Sequence, residues 1–366
     1  MIITADNDYR GLDEWLKGKK KVMLVCDSSI AFLQAFNEKL GRIKTAMVRF
    51  SDFQPNPLYS SVTAGVKLLR EEGCDSIMAV GGGSAMDVAK CIKLYADCPG
   101  DGEQGEWLKH AAVPADLPFL AMPTTAGTGS EATRYAVVYF DGAKQSITHE
   151  GFIPDTVLMD PDALKTLPLY QKKATMCDAL CHAVESFWSV NSTEESKAFS
   201  REAIKEVMAN MEGYLANTPE GRAGMLMAAN VAGRAINITQ TTAGHAMCYK
   251  ITSLFGCAHG HAAMLCDRIL FPWMIENTDK CIDPRGEAYL KVTLDELGKA
   301  LGGRDAKEGA DILKKIFEKL AFEIPAADSG QIMELTAGVN PDRLKNHPLL
   351  LDKDTINGLY KKIFAV

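Results

Sequence analysis

The sequence predicts an α/β domain over residues 1–162 followed by an all-α domain over residues 163–366. Three observations carry that division. The first 160 residues alternate short β-rich runs with amphipathic stretches, the pattern of a parallel sheet with crossover helices. Past Asp160-Pro161 the strand signals stop, and apolar-periodic segments rich in Ala, Leu, Met, Glu and Lys take over. At 366 residues the chain is also roughly twice a typical domain length.

Residues 21–26 (KVMLVC) read as a buried strand ending at Asp27, 30–40 as a helix, 45–50 as a strand, 59–72 as a helix and 76–80 as a strand. After Gly81-Gly82-Gly83 a helix is expected over 84–95, then a strand over 117–122. Residues 134–140 and 143–148 have the alternation of a β-hairpin, with Asp141-Gly142 as its turn. Residues 156–159 read as the last strand. No internal repeat or low-complexity tract is present, and Asn340-Pro341 and Asn346-His347-Pro348 are turn signals.

Two loops follow strands in a way that suits a nucleotide. Gly81, Gly82, Gly83, Ser84 and Asp87 sit where a strand opens into a helix, and the exposed N–H groups and dipole of a helix start favour a phosphate. The spacing is neither G-x-G-x-x-G nor a Walker motif, since Met86 stands where a third glycine belongs, so a simple tight turn is the competing reading. A second loop, 123–130, gathers Thr124, Thr125 and Thr128 with two glycines, small hydroxyl residues suited to ribose, phosphate and carboxamide groups. Asp27 ends the first strand, where an acid accepts from a ribose 2′-hydroxyl and repels a 2′-phosphate, favouring NAD(H) over NADP(H). Its alternative role is a helix N-cap.

Metal chemistry is signalled further on. Asp178 and His182 are four apart in a helical segment, 171–189, and so share one face about 6 Å apart. Alone, such a pair is more often a hydrogen-bonded couple than a metal site. A second cluster holds His245, His259 and His261. On one unbroken helix His245 and His259 would stand about 21 Å apart, so a break near Phe255-Gly256 is required for them to share an ion. Of His259 and His261, which diverge by about 200° on a helix, His259 is taken as the ligand and His261 as a neighbour of the ligands or an exposed residue. One carboxylate with three imidazoles is a mixed O/N set suited to Fe(II), Zn(II) or another borderline divalent ion acting as a Lewis acid.

Composition excludes other classes. Forty Lys+Arg against forty-seven Asp+Glu give a net charge of −7 with no long basic run, so no nucleic-acid surface is expected. Apolar runs stay short of the ~18 residues that span a bilayer, the ten scattered cysteines form no C-x-x-C pair, and no signal-peptide pattern opens the chain; a cytoplasmic protein with reduced thiols is expected.

Together, G-G-G-S-x-x-D at 81–87, P-T-T-A-G-T-G-S-E at 123–131, Pro154-Asp155, the D-x-x-x-H of Asp178 and His182, Gly244-His245 and the H-G-H of 259–261 resemble the metal-dependent, iron-containing group III alcohol dehydrogenases. The match runs over nearly the whole chain. The resemblance implies the architecture shared with dehydroquinate synthase: a dinucleotide-binding α/β domain, a helical C-terminal domain, and NAD(P) in the cleft. It further implies one divalent ion, Fe(II) foremost with Zn(II) or Mn(II) accepted, held by Asp178, His182, His245 and His259, and a homodimer or larger homo-oligomer. Where many members carry another histidine four residues after the third ligand this chain has Tyr249, which puts a histidine proton relay there in doubt and leaves Tyr249 to bind substrate, relay a proton or pack. Arg134, Lys250 and His149 are candidates for a cationic end to the substrate pocket, against plain surface roles. The wider character resembles the phosphonoacetaldehyde and sulfoacetaldehyde reductase branch, which implies an anionic two-carbon aldehyde; a general short-chain alcohol or diol dehydrogenase is the nearest alternative. A dehydroquinate-synthase-like lyase and a non-catalytic nucleotide-binding protein stand further off.

Overall fold

In the computed structural model, which describes residues 1–6, 8–109 and 112–365, the chain packs as two compact units, Met1–Leu167 and Pro168–Val366. Each is built around its own core.

The first unit is a six-stranded sheet, entirely parallel. Its strands are β1 (Ile2–Thr4), β2 (Lys21–Cys26), β3 (Ala46–Phe50), β4 (Ser76–Gly81), β5 (Phe119–Pro123) and β8 (Thr156–Met159), in spatial order β1-β8-β5-β4-β2-β3. Side chains alternate across it with the period of two that a pleated strand imposes. Met23, Val25, Ile77, Ala79, Phe119 and Ala121 face a core shared with helices α3 (Tyr59–Glu72) and α4 (Gly83–Tyr95). Val22, Leu24, Met78, Val80, Leu120 and Met122 face a second core, shared with α1 (Arg10–Leu16) and α2 (Gln34–Leu40). Both faces are covered, which is why the strands read as nearly continuous apolar runs. After β2 the chain steps outward to β3 and returns to β4 on the other side of β2. That reversal opens a crevice at the carboxyl ends of β2 and β4, where open α/β sheets bind ligands.

β6 (Tyr135–Phe140) and β7 (Ala143–Thr148) form a separate antiparallel hairpin paired from Tyr135↔Thr148 to Phe140↔Ala143. Asp141 and Gly142 at its tip have φ of 49° and 72°, the two left-handed positions that a two-residue turn of this hand requires. One expected element differs. Instead of one helix over 30–40 there is a 3-10 turn, Ser28–Phe32, then α2, with Leu33 non-helical between them at φ −92° and ψ 71°. Asp27 caps Ser29 and tightens the first turn, and the break buries Leu33 while Phe32 is left exposed. The edge strand β1 and helix α1 are additional to the elements read from the sequence.

The second unit is helical: α5 (Leu169–Trp188), α6 (Glu194–Leu215), α7 (Pro219–Thr239), α8 (Ala243–Phe255), α9 (His259–Glu276), α10 (Glu287–Ala300), α11 (Ala306–Leu320), α12 (Ser329–Ala337) and α13 (Lys353–Phe364). From Met176 to Trp188 every residue of α5 is buried, so this helix is the axis on which α6, α7, α9 and α10 pack. Gly256, at φ 69°, ends α8 in the left-handed conformation that glycine adopts without steric cost, and α9 begins three residues later. No helix among the described residues is long and apolar enough to cross a membrane. All ten cysteines are free thiols, most of them buried.

Candidate metal centre and nucleotide loops

Polar residues in the middle of a buried helix must be satisfied by something. On α5 these include Asp178, His182 and Glu185, which at i, i+4 and i+7 share one face. Asp178 Oδ1 is the point on which three imidazoles converge: the Nε2 atoms of His245, His182 and His259 lie 3.4, 3.8 and 4.0 Å from it. Asp178, His245 and His259 offer ligand atoms that all lie within 4.8 Å of one another. Ligands about 2.1 Å from a tetrahedral ion stand about 3.4 Å apart, so the spacing fits a divalent metal held by these side chains. Burial opposes a charge on Asp178, yet the surrounding histidines hold its carboxyl well below the usual range.

Glu185, absent from the sequence-based site, fixes the geometry. Its Oε1 accepts from the His245 backbone N–H at 2.9 Å and bonds His245 Nδ1, while Oε2 accepts from the Thr242 N–H and hydroxyl at 2.6 and 2.7 Å. One carboxylate thereby satisfies the start of α8 and keeps the His245 proton on Nδ1, leaving Nε2 turned toward Asp178. Burial disfavours the imidazolium, but Glu185 and Asp178 together raise the His245 pKa to about 10. The signal for Glu185 was its place seven residues after Asp178 on the ligand face.

The glycines beside His245 and His259 allow close approach. A Cβ on Gly244 would stand 1.9 Å from Asp267 Oδ1 and 2.7 Å from Glu185 Oε1; one on Gly260 would stand 2.0 Å from the Ala174 carbonyl oxygen and 2.6 Å from Asp178 Cβ. Without those side chains α9 lies directly against α5 at Gly260, and the start of α8 seats on the Asp267 and Glu185 carboxylates at Gly244, which brings His259 and His245 to Asp178. Tyr170 adds a further tie: its hydroxyl accepts the Ala258 N–H at 3.0 Å, just before α9 starts. It also bonds His261 Nδ1 at 3.1 Å. His261 is therefore neither exposed nor at the ion. It is buried and stacked on Phe322, 4.2 Å between ring centroids, because two residues along α9 it faces the opposite way from His259.

Tyr249, one turn beyond His245, stacks on the His259 ring with centroids 5.3 Å apart and planes 22° from parallel. Lys250 points elsewhere, pairing with Glu334 at 2.7 Å.

In the first unit the two loops lie side by side at the carboxyl ends of β4 and β5. Gly81 has Asp27 Oδ2 and Ala85 Cβ where its own Cβ would be, at 2.5 and 2.6 Å, so only glycine fits there. Asp27 bridges the crevice, accepting from the Ser29 N–H at 2.8 Å and the Gly82 N–H at 3.1 Å; the cap role read for it is present. Gly82 and Gly83 pass close to Thr125 and Thr128, and Gly82, the N-cap of α4, has no side chain of its own to cap the helix. Thr124 Oγ1 is 3.0 Å from Ser29 Oγ, and Thr128 Oγ1 accepts the Ser130 N–H at 3.2 Å.

Asp87 works beneath the loop: its carboxylate accepts from the Ser130 hydroxyl at 3.0 Å and the Val137 N–H at 3.1 Å. Lys90, one turn on and fully buried, donates to the carbonyls of Ser130, Tyr135 and Thr133 at 2.6, 2.8 and 2.9 Å. Burial pushes its pKa down to about 8 against the pull of Asp87 and Glu131. In the sequence it reads as an ordinary solvated lysine. Arg134 pairs with Glu150 at 2.5 Å, and His149 Nδ1 accepts the Gly151 N–H at 3.0 Å, capping a short turn.

Comparison with known proteins decides the family. Residues 1–161 match the family described as iron-containing alcohol dehydrogenase, and residues 172–363 match the C-terminal region of the Fe-containing alcohol dehydrogenase family. The chain belongs to the iron-containing alcohol dehydrogenases. A phosphonoacetaldehyde reductase of Streptomyces viridochromogenes is 30% identical over 82% of this chain and 78% of its own length. Among solved structures, the iron-containing alcohol dehydrogenase of Thermotoga maritima is 27% identical with a TM-score of 0.82, covering 100% of this chain and 98% of that one. The NAD+ complex of sulfoacetaldehyde reductase from Bifidobacterium kashiwanohense has the same fold, with a TM-score of 0.87 at 24% identity over 100% of this chain and 97% of that one.

Proposed function

We propose that this alcohol dehydrogenase reversibly reduces a short aldehyde to its primary alcohol with NADH at a divalent metal, and that the aldehyde is a two-carbon one bearing a phosphonate or sulfonate. The observation that carries the reaction is the convergence of His182, His245 and His259 on Asp178 Oδ1. The anionic substrate is supported by the likeness to the Streptomyces enzyme. When bound, the ion supplies Lewis-acid polarisation of the carbonyl oxygen and the dinucleotide supplies hydride.

The chain's own residues do the rest. Asp178 would bring the one negative charge among the four ligands, and Glu185, bonded to His245 Nδ1, orients the ring so that Nε2 is the atom that would meet the ion once its proton is displaced. Gly82, whose N–H goes to Asp27, shapes the turn, while Gly83, Ser84 and the threonine loop offer backbone N–H groups and hydroxyls to the dinucleotide, the end of the threonine loop being held from below by Asp87 and Lys90. Asp27 retains acceptor capacity beyond its two N–H bonds, and its charge repels a 2′-phosphate, the reason for preferring NAD(H) to NADP(H).

The test is NADH oxidation over a panel of aldehydes, including phosphonoacetaldehyde, sulfoacetaldehyde, propanal and butanal, after separate reconstitution with Fe(II), Zn(II) and Mn(II). Preference for a charged aldehyde supports the reading. Equal or better turnover of the neutral ones makes the protein a general short-chain dehydrogenase instead.

A further inference from the structure

An anionic substrate needs a cation at its far end, and both cations first expected there are engaged with glutamates, Arg134 with Glu150 and Lys250 with Glu334. Arg343 is differently placed. It lies in the short turn Pro341–Asn346, half-buried, and folds back over Tyr249: Nη1 donates to the Tyr249 hydroxyl at 3.2 Å, and the guanidinium carbon is 4.9 Å from the ring centroid. Tyr249 is in turn the residue stacked on His259. One aromatic ring therefore links this guanidinium to a side chain of the metal cluster.

Among the described residues Arg343 has no carboxylate partner; its neighbour Asp342 pairs with Lys345 at 2.6 Å. A guanidinium carries five N–H donors in a planar fork matched to phosphonate and sulfonate oxygens, and here one donor goes to a phenol. A two-carbon aldehyde with such a group spans about 5 Å from carbonyl oxygen to anionic oxygen, so its two ends need a cation near the metal. Tyr249 adds a hydroxyl beside the fork that accepts from Arg343 and has a proton of its own to donate.

We infer that Arg343, with the Tyr249 hydroxyl, binds the anionic end of the substrate, and that this pair selects phosphonate- or sulfonate-bearing aldehydes over neutral ones. The inference rests on the anionic-substrate reading above. It replaces Arg134 and Lys250 in that role.

The experiment measures kcat/KM for phosphonoacetaldehyde and for propanal, and inhibition of propanal reduction by ethylphosphonate, in the metal-loaded wild type and in Arg343→Met, Arg343→Lys and Tyr249→Phe. Arg343→Met is expected to lower the ratio of the two kcat/KM values about 30-fold, mainly through KM, and to raise the ethylphosphonate Ki by a similar factor. Arg343→Lys and Tyr249→Phe are each expected to lower the ratio about fivefold. Metal content and circular dichroism of each variant separate this from misfolding; should Arg343→Met not fold, an unchanged Ki in Arg343→Lys overturns the inference. If the wild type prefers the charged aldehyde and Arg343→Met keeps that preference, or if Arg134→Met or Lys250→Met lowers it more, Arg343 is not the anchor although the substrate reading stands. If the wild type shows no preference and no inhibition by ethylphosphonate, the substrate reading falls and takes this inference with it.

Discussion

The two units bury polar groups for opposite ends. In the first, Lys90 and Asp87 reach up from α4 and are consumed by the carbonyls, hydroxyl and N–H of the 130–137 segment, so the network closes on itself. In the second, Asp178 and the three histidines point at a common centre, with Glu185 turned the other way to hold one of them. A closed network sets a shape. An open one sets an electrostatic site, and its partner comes from outside the chain.

That contrast breaks if each network, once cut, fails in the other's manner. The largest effect is expected from Lys90→Met, which strands several buried carbonyls at once. Stability should fall by about 3 kcal/mol or more in denaturant melts, and dinucleotide affinity with it, while metal affinity of the folded fraction stays as it was. A loss of metal binding larger than the loss of dinucleotide binding would remove the distinction. Glu185→Gln should do the reverse. Metal affinity, read by chelator competition, is expected to drop 10- to 100-fold with little change in the binding of NADH followed by its fluorescence.

The smallest effect concerns His347, buried at the edge of the Trp188 ring with neither ring nitrogen hydrogen-bonded among the described residues. Burial takes its pKa down to about 3. The unfolded chain, with an ordinary histidine pKa near ~6.5, then binds the proton first, so this residue's contribution is intact above that value and is lost as pH falls toward 3. His347→Phe should lessen the fall in stability between pH 7 and pH 5 by about 2 kcal/mol or less, as urea titrations at the two pH values would reveal; an unchanged fall would mean that the fold does not lower the pKa of this ring.

Legibility in the sequence followed locality. Five of the six strands of the sheet, the hairpin with its Asp141-Gly142 turn and the break at Gly256 are written in neighbouring residues, and the structure has all of them. Spacing along one helix was enough to put Asp178 and His182 on a common face. What escaped was set by contacts distant in sequence. Lys90 has the periodicity of a solvated residue until the segment 43 residues further on folds over it. Arg343 meets Tyr249 across 94 positions, and a turn residue gives no sign of such a partner. β1 is three residues long and is a strand only because β8 lies beside it.

Gly244 and Gly260 have a consequence for how such a protein changes over time. At Gly260 the contact is with the main chain of α5 and at Gly244 with the carboxylates of Asp267 and Glu185, so a side chain at either position would push the neighbouring histidine away from Asp178. The next turn of α8, with Tyr249 facing Arg343 and stacked on the His259 ring, lies outside that contact. The glycine contacts are thereby the part of the cluster's frame least open to substitution, and the outer turn of α8 the part more open to it.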